Sequence, residues 1–501
     1  MSEYLTPEVI AVSVAIIWLI LSGLIVRFFR KCRAIPRRWP WLQNTLLLLL
    51  GPLYLMLFVC IDVVLQMRRE KVPFRQALRR SFRPPEIKRA PEPVDEFPFE
   101  LLDKNGVPLA EVNAKIAESE IIKLTREILR QAVIMASSDV LIQPVDDVTS
   151  NVRFRINGRL RSIRDLTPDE SRAIINSIKA ISGMDISDRR RPQDGVFAAR
   201  VKYGVISFRV ATVGVLNGEK VSVRILDQHA SQFTLDSIGL TGFELQAVKK
   251  TLLHDAGMIL VCGPTGSGKS STVHAMLQAI DRIERNVITI EDPIEYILPD
   301  ASQIEVNPRA GLTFEKALRS ILRQDPDVIS IGEIRDGETA EIAIQAAQTG
   351  HLVFATVHSD SNQQALLRLN DLGVRPMLLG SALSLILSQR LVRRLCEACK
   401  KPAKFDAKER DNLWKQHVDP DSLFQAGGCS LCHQTGYTGR MAVFDLAIMD
   451  AQRRETLTRG DMVLNQVHTE TTPMLQMQAT RLALTGMTSW PEVERLAATV
   501  E

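Results

Sequence analysis

Residues 263 to 270 read Gly263-Pro264-Thr265-Gly266-Ser267-Gly268-Lys269-Ser270, a run of glycines and hydroxyls around one lysine. Glycines let the backbone turn its N–H groups onto a triphosphate. Lys269 can neutralise charge on the β and γ phosphates, and the Ser270 hydroxyl can ligate Mg²⁺. An apolar run, Met258 to Cys262, precedes the loop and a helical stretch follows it, so the positive end of a helix would face the phosphates. With Ser271 the loop makes a nucleotide-binding set for ATP and Mg²⁺.

Three further stretches end in polar residues. They are Val287 to Glu295, carrying Glu291, Asp292 and Glu295; Asp327 to Asp336, carrying Glu333; and Thr349 to Ser359, bracketed by His351 and His358. ATP hydrolysis needs Mg²⁺ across the phosphates and a group to orient the attacking water. It also needs cations for the charge on the transferring group. Glu333 is the first candidate for the metal- or water-positioning carboxylate, with Glu291 and Glu295 as rivals. Either His351 or His358 can sense the γ-phosphate. Any one of these acids alone would read as a helix cap or surface charge; beside the phosphate loop they read as a catalytic set.

Two Cys-x2-Cys pairs, Cys396/Cys399 and Cys429/Cys432, can offer four thiolates to one tetrahedral Zn²⁺. A redox dithiol pair and unliganded buried cysteines are the rival readings. An ATP-binding protein faces a reducing cytosol, which favours a metal site over disulfides.

The elements that must position these residues follow from the rest of the chain. At 501 residues with 45% hydrophobic and 24% charged side chains, the chain has room for several domains, each with its own core. Its net charge of +4 is unevenly placed, with Arg and Lys crowded into 27–90 beside the two most apolar stretches. That asymmetry points to a membrane surface rather than nucleic acid.

Residues 9–26 are uncharged and just long enough to span a bilayer. Glu3 and Glu8 precede them and Arg27, Arg30 and Lys31 follow, which is not the pattern of a cleaved signal peptide. Trp39 to Ile61 is a second uncharged run, broken at Gly51-Pro52. Basic residues crowd both the connection (Arg27 to Arg38) and the distal flank (Arg68 to Arg83), so both ask to be cytoplasmic. Either the second segment dips in and returns at Gly51-Pro52, or both segments span with the connection outside.

Residues 1–66 thus form a membrane-attachment region and 67–116 a basic, Pro-rich linker with five prolines in 84–98. From 117 to 239, a helical period at 117–136 and then short alternating stretches describe a small α+β domain. From 240 to 395, apolar strands (Met258–Cys262, Val287–Ile290, Val328–Ile331, Leu352–Val357) alternate with helices. This is the α/β pattern of a doubly wound sheet, with sites at the strands' carboxyl ends. Residues 396–432 are the cysteine region and 433–501 a C-terminal helical region.

From about residue 117 to the C-terminus the chain resembles the type II secretion and type IV pilus assembly ATPases. The resemblance rests on the phosphate loop, the acidic stretch Ile290-Glu-Asp-Pro-Ile-Glu295, Gly332-Glu333, the histidine stretch Thr349–Ser359 and the four cysteines. It implies a RecA-like P-loop ATPase domain preceded by a small PAS-like domain that closes over nucleotide, with a structural zinc excursion. The implied partners are a homo-hexamer, an inner-membrane platform protein and the lipid bilayer, with no nucleic acid. The implied location is the bacterial inner membrane, with the ATPase domains on the cytoplasmic face. Family arginines that contact phosphates correspond to Arg209, Arg224, Arg319 and Arg323 here. The implied activity is ATP hydrolysis driving pilus or pseudopilus assembly and protein secretion. A retraction motor is the near alternative, although retraction members generally lack the cysteine motif; a nucleic-acid-translocating motor is the distant one.

Two departures stand out. The family's Ser-Asp-Ile-His-Ile-Glu-Pro reads here as Ser138-Asp139-Val140-Leu141-Ile142-Gln143-Pro144, so its His and Glu are missing. And where relatives carry a soluble N-terminal recruitment domain, this chain has apolar and basic segments.

Overall fold

The computed structural model describes residues 98–109, 119–202, 204–226, 233–461 and 474–498. The two apolar segments of 1–66 and most of the linker lie outside the described residues. Among those described, no helix is long and apolar enough to cross a membrane.

The first half is an antiparallel sheet with two helices. Its strands are β1 (Phe99–Leu102), β2 (Ser137–Pro144), β3 (Ser150–Ile156), β4 (Arg159–Leu166), β5 (Gln193–Val201), β6 (Gly204–Val215) and β7 (Gly218–Leu226), in the order β1-β5-β6-β7-β2-β3-β4. Buried and open residues alternate along β6, as expected of a sheet with one face on a core. Helix α1 (Glu120–Ile134) is capped by Ser119 and buries Ile122, Thr125, Ile128, Leu129 and Ala132, spaced for one helical face. Helix α2 (Pro168–Ile181) starts in a capping box between Thr167 and Glu170. Leu141 on β2 is buried, at 8% exposed, between the core residues Val140 and Ile142. β1 pairs with β5 although its residues fall in the stretch read as linker.

The second half is a mainly parallel sheet. Helix α3 (Gly242–Leu252) leads to β8 (Gly257–Cys262), then α4 (Lys269–Gln278), β9 (Val287–Glu291), β10 (Ser302–Glu305), α5 (Phe314–Ile321) and β11 (Val328–Ile331). There follow α6 (Gly337–Gln348), β12 (Leu352–Val357), α7 (Asn362–Asp371), α8 (Pro376–Ala382) and β13 (Leu383–Leu395). A two-stranded excursion, β14 (Lys401–Pro402) with β15 (Phe424–Gln425), holds α9 (Ala407–Lys415). β16 (Tyr437–Ile448), α10 (Ala451–Thr458), α11 (Met474–Leu484) and α12 (Trp490–Ala497) complete the chain. The sheet order is β10-β9-β11-β12-β8-β13-β16.

The four strands expected from the sequence lie side by side and are parallel, buried on both faces. Three strands were not expected: β10, which pairs parallel with β9 at one edge, and β13 and β16 on the other side. β13 pairs parallel with β8, and β16 pairs antiparallel with β13 over most of its length. The mainly parallel sheet therefore extends past 395 and takes twelve residues from the stretch read as helical. Asp336 and Ser361 cap α6 and α7 directly after β11 and β12, which holds the intervening turns short at the sheet's carboxyl end.

Candidate active site

The loop after β8 is shaped by close approach. A Cβ on Gly263 would sit 2.5 Å from Ser267 Oγ and 2.7 Å from Gln389 O, so only glycine fits. Gly268 precedes α4 with φ of 92°, and aims the helix start into the loop. Lys269 is 9% exposed and folds back on its own loop, donating to Gly263 O at 2.9 Å and Pro264 O at 3.2 Å. Burial pulls its pKa below the ordinary lysine value, and the carboxylate charge of Glu333 partly offsets this. Ser270 is exposed beside it, and Ser271 Oγ lies 3.1 Å from Tyr296 OH.

Glu333 follows β11 and His358 follows β12. Glu333 Oε2 lies 3.1 Å from His358 Nε2, and His358 Nδ1 lies 3.4 Å from Lys269 Nζ. The histidine therefore bridges the acid and the phosphate-loop lysine. The other Glu333 oxygen is paired with Arg335, whose guanidinium also lies 3.4 Å from Asp292. Glu291 is engaged differently: its Oε1 accepts from Thr289 Oγ1 at 2.7 Å and Gln303 Nε2 at 3.0 Å. Glu295 is close enough for its charge to act on Lys269. Of the three rival acids, Glu333 alone is joined to both His358 and the loop.

His351 is elsewhere. β12 runs parallel to β8 with Leu352 opposite Gly257 and Val357 opposite Cys262, so His351 sits at the strand end away from the phosphate loop. Its Nδ1 lies 2.9 Å from Ala346 O and its carbonyl accepts from Gly257 N, so its place in this chain is as a strand-entry brace. The two histidines that bracket β12 in sequence are separated by the strand's length.

The four arginines carried over from the resemblance do not meet the loop in this chain. Arg209 and Arg224 are exposed cross-strand neighbours on β6 and β7, and Arg224 Nε donates to Asp139 Oδ1 at 3.1 Å. Arg319 on α5 pairs with Glu315 at 3.0 Å and Glu338 at 2.8 Å. Arg323 lies in the turn just past the end of α5 and donates from its side chain to Arg319 O at 2.9 Å.

The four cysteines converge: their Sγ atoms all lie within 4.8 Å of one another. Three of the separations are 3.7 to 3.8 Å. Zn–S bonds of about 2.3 Å give a tetrahedron with edges of about 3.8 Å, so the spacing fits zinc. Main-chain N–H groups point at the sulfurs, from Gly428 to Cys399 at 3.1 Å and from Cys429 and Gly436 to Cys432, each at 3.2 Å. Burial pushes the Cys432 thiol up, but these N–H donors and the neighbouring thiols outweigh it and bring it down to about 6. Burial pushes Cys396 up, to about 11.

A family described as type II/IV secretion system protein matches residues 115–495. The chain belongs to that family. This secretion ATPase is 38% identical over 390 residues to the type II secretion system ATPase E of Vibrio cholerae, covering 77% of each chain. It is 40% identical over 384 residues to the type II secretion system protein E of Klebsiella pneumoniae, 76% of each. It is 42% identical over 340 residues to the type II secretion system protein HxcR of Pseudomonas aeruginosa, 68% and 69% of the two chains. The fold is shared with the ATPase DotB of Legionella pneumophila, at TM-score 0.55 and 20% identity over 75% of this chain and 95% of that one. The pilus retraction motor PilT, solved with ADP, aligns at TM-score 0.50 and 25% identity, covering 74% and 96%. The secretion ATPase hydrolyses ATP, as its family does.

Sequence reasoning missed two participants in this ATPase, Arg335 and Gln389, and did not pair Asp292 with the first. Arg335 and Asp292 were inside the stretches read for their acids, but their pairing around Glu333 joins two strands that are distant in sequence. Gln389, which contacts the phosphate loop, sits in β13. Its signal was a polar Ser388-Gln389-Arg390 run inside an otherwise apolar segment.

Proposed function

We propose that this secretion ATPase is a hexameric RecA-like motor that drives pseudopilus or pilus assembly, and through it protein secretion, from the cytoplasmic face of a bacterial inner membrane. The observation that carries this reading is the Lys269–His358–Glu333 chain at the phosphate loop. In ATP hydrolysis Lys269 exchanges the Gly263 and Pro264 carbonyls for β and γ phosphate oxygens, a stronger charge-assisted contact. Glu333 orients the attacking water, and His358 registers whether the γ-phosphate is present. Mg²⁺, with Ser270 as its protein ligand, would supply charge neutralisation across the phosphates. Arg209 and Arg224 on the PAS-like sheet, and Arg319 and Arg323 on the motor, reach phosphate on domain closure or from a neighbouring subunit.

Cys396, Cys399, Cys429 and Cys432 would hold one structural Zn²⁺, supported by the tetrahedral sulfur spacing. The first 66 residues attach the motor to the bilayer beside its platform protein. The four-cysteine cluster favours an assembly motor over retraction.

Deleting the gene and restoring it as wild type, as Glu333→Gln or without residues 1–66 tests this reading. Wild type should restore extracellular export or surface pili and Glu333→Gln should not. Full export with Glu333→Gln would sink it. The truncated protein should leave the membrane fraction in cells that lack the rest of the machine; if it stays fully membrane-bound, residues 1–66 are not the anchor.

A further inference from the structure

β13 lies against β8 on the side away from β12, and three of its residues, Ser388, Gln389 and Arg390, are 0%, 0% and 6% exposed. A strand buried on both faces does not need polar side chains for its packing. Gln389 Nε2 donates to Ser267 O at 2.7 Å, and Gln389 O lies where a Cβ on Gly263 would come within 2.7 Å. The phosphate loop thus rests on this residue.

Arg390 carries the contact across the end of β8. It donates from Nη1 to Gln389 O at 3.1 Å, and from Nη2 to both Asp360 O at 2.8 Å and Asp360 Oδ1 at 3.0 Å. Asp360 stands two residues after His358 in the same short turn. Asn362 extends the strap, donating to Asp445 O on β16 at 3.0 Å. Ser267 Oγ, Ser388 Oγ, Gln389 Oε1 and Arg390 Nε are all buried without a hydrogen-bond partner among the described residues. Buried polar atoms are nearly always paired, so four orphans around one loop mark a set that can re-pair when the loop changes shape.

We propose that Asp360, Arg390 and Gln389 are positioning residues for hydrolysis, tying the His358 turn to the phosphate loop so that the histidine and Glu333 follow the loop as it closes on nucleotide. Their hydrogen bonds run to Ser267 and to one another. They act through His358 on one side and Ser267 on the other, and the inference rests on the role given to His358 above.

The test is steady-state turnover and binding of a non-hydrolysable ATP analogue by full-length protein in detergent. Asp360→Ala, Asp360→Asn and Gln389→Met are each measured alone, and Asp360→Ala also together with His358→Ala. Asp360→Ala and Gln389→Met should lower kcat about tenfold by misplacing the turn. The ATP KM and the analogue's Kd should change by less than about threefold. In the His358→Ala background, Asp360→Ala should cost less than about twofold, because the path it acts through is gone. Asp360→Asn keeps an oxygen for Arg390 and should recover most of the loss. Should Asp360→Ala fail to fold, Gln389→Met measured alone and together with His358→Ala carries the same comparison.

Equal fold-losses in both backgrounds would overturn the relay while leaving His358 in place. So would kcat, binding and melting temperature falling together, the mark of a merely structural role. Full turnover by His358→Ala alone would remove the histidine's role and the relay with it.

Discussion

The two large sheets treat charge in opposite ways. In the motor sheet, β8 and β12 are buried from end to end, and the groups placed for chemistry gather at the carboxyl ends: Lys269, Glu333 and His358. In the N-terminal sheet, buried and open residues alternate, and Arg209 and Arg224 stand on an open face with Asp139 for company. Behind that sheet, among the described residues, a deeply buried ion pair joins Lys179 on α2 to Glu219 on β7 at 2.8 Å. A parallel sheet leaves only its ends for polar groups, so a site there is assembled by the fold of a single chain. An antiparallel sheet with an open face offers charge to something that arrives later.

This contrast can be broken by substitution. The largest effect should come at the motor sheet's carboxyl end: Glu333→Gln should lower kcat roughly 10²- to 10³-fold with analogue binding nearly unchanged. A matching loss of binding would make Glu333 a nucleotide-holding group instead. In the N-terminal domain, Lys179→Met on α2 should leave Glu219 of β7 buried and alone, at a cost of about 3–5 kcal/mol read from the denaturation midpoint. A midpoint unchanged by that substitution would show that water reaches Glu219.

Cys429→Ser should remove one zinc per chain by metal analysis and lower the melting temperature by several degrees, since a metal that pins a loop-rich excursion is part of its folding energy. Metal content equal to wild type would end the zinc assignment. Arg209→Ala and Arg224→Ala should cut turnover of the assembled protein by about tenfold while leaving analogue binding by the unassembled chain untouched. Equal losses in both states would place these arginines on phosphate before closure. The smallest effect belongs to His351→Ala, expected to change turnover by less than about twofold, because its ring bonds the end of α6 and not the loop.

What was legible in the sequence follows the same division. The phosphate loop, the four buried strands and the cysteine cluster were readable because each is specified within a few residues: glycine geometry, continuous apolar runs, Cys-x2-Cys spacing. β13 was not, since Ser388, Gln389 and Arg390 break its apolar run in a way that mimics neither a buried strand nor a helix face. β16 and β1 are edge strands whose pairing is with distant residues, and short-range pattern carries little of that. The histidines show the limit most directly. Equal flanking positions in sequence placed His351 and His358 level, and only strand direction separates them. The arginines rest on the resemblance alone, and the local pattern around each says nothing of its distance from the phosphate loop.

The most direct measurement is ATP turnover by the full-length protein in detergent, alongside Lys269→Ala, at concentrations below and above hexamer formation. The account predicts turnover that rises as hexamers form and is absent from Lys269→Ala at every concentration. Turnover that survives in Lys269→Ala, or an assembled, zinc-loaded hexamer with no turnover, would contradict it.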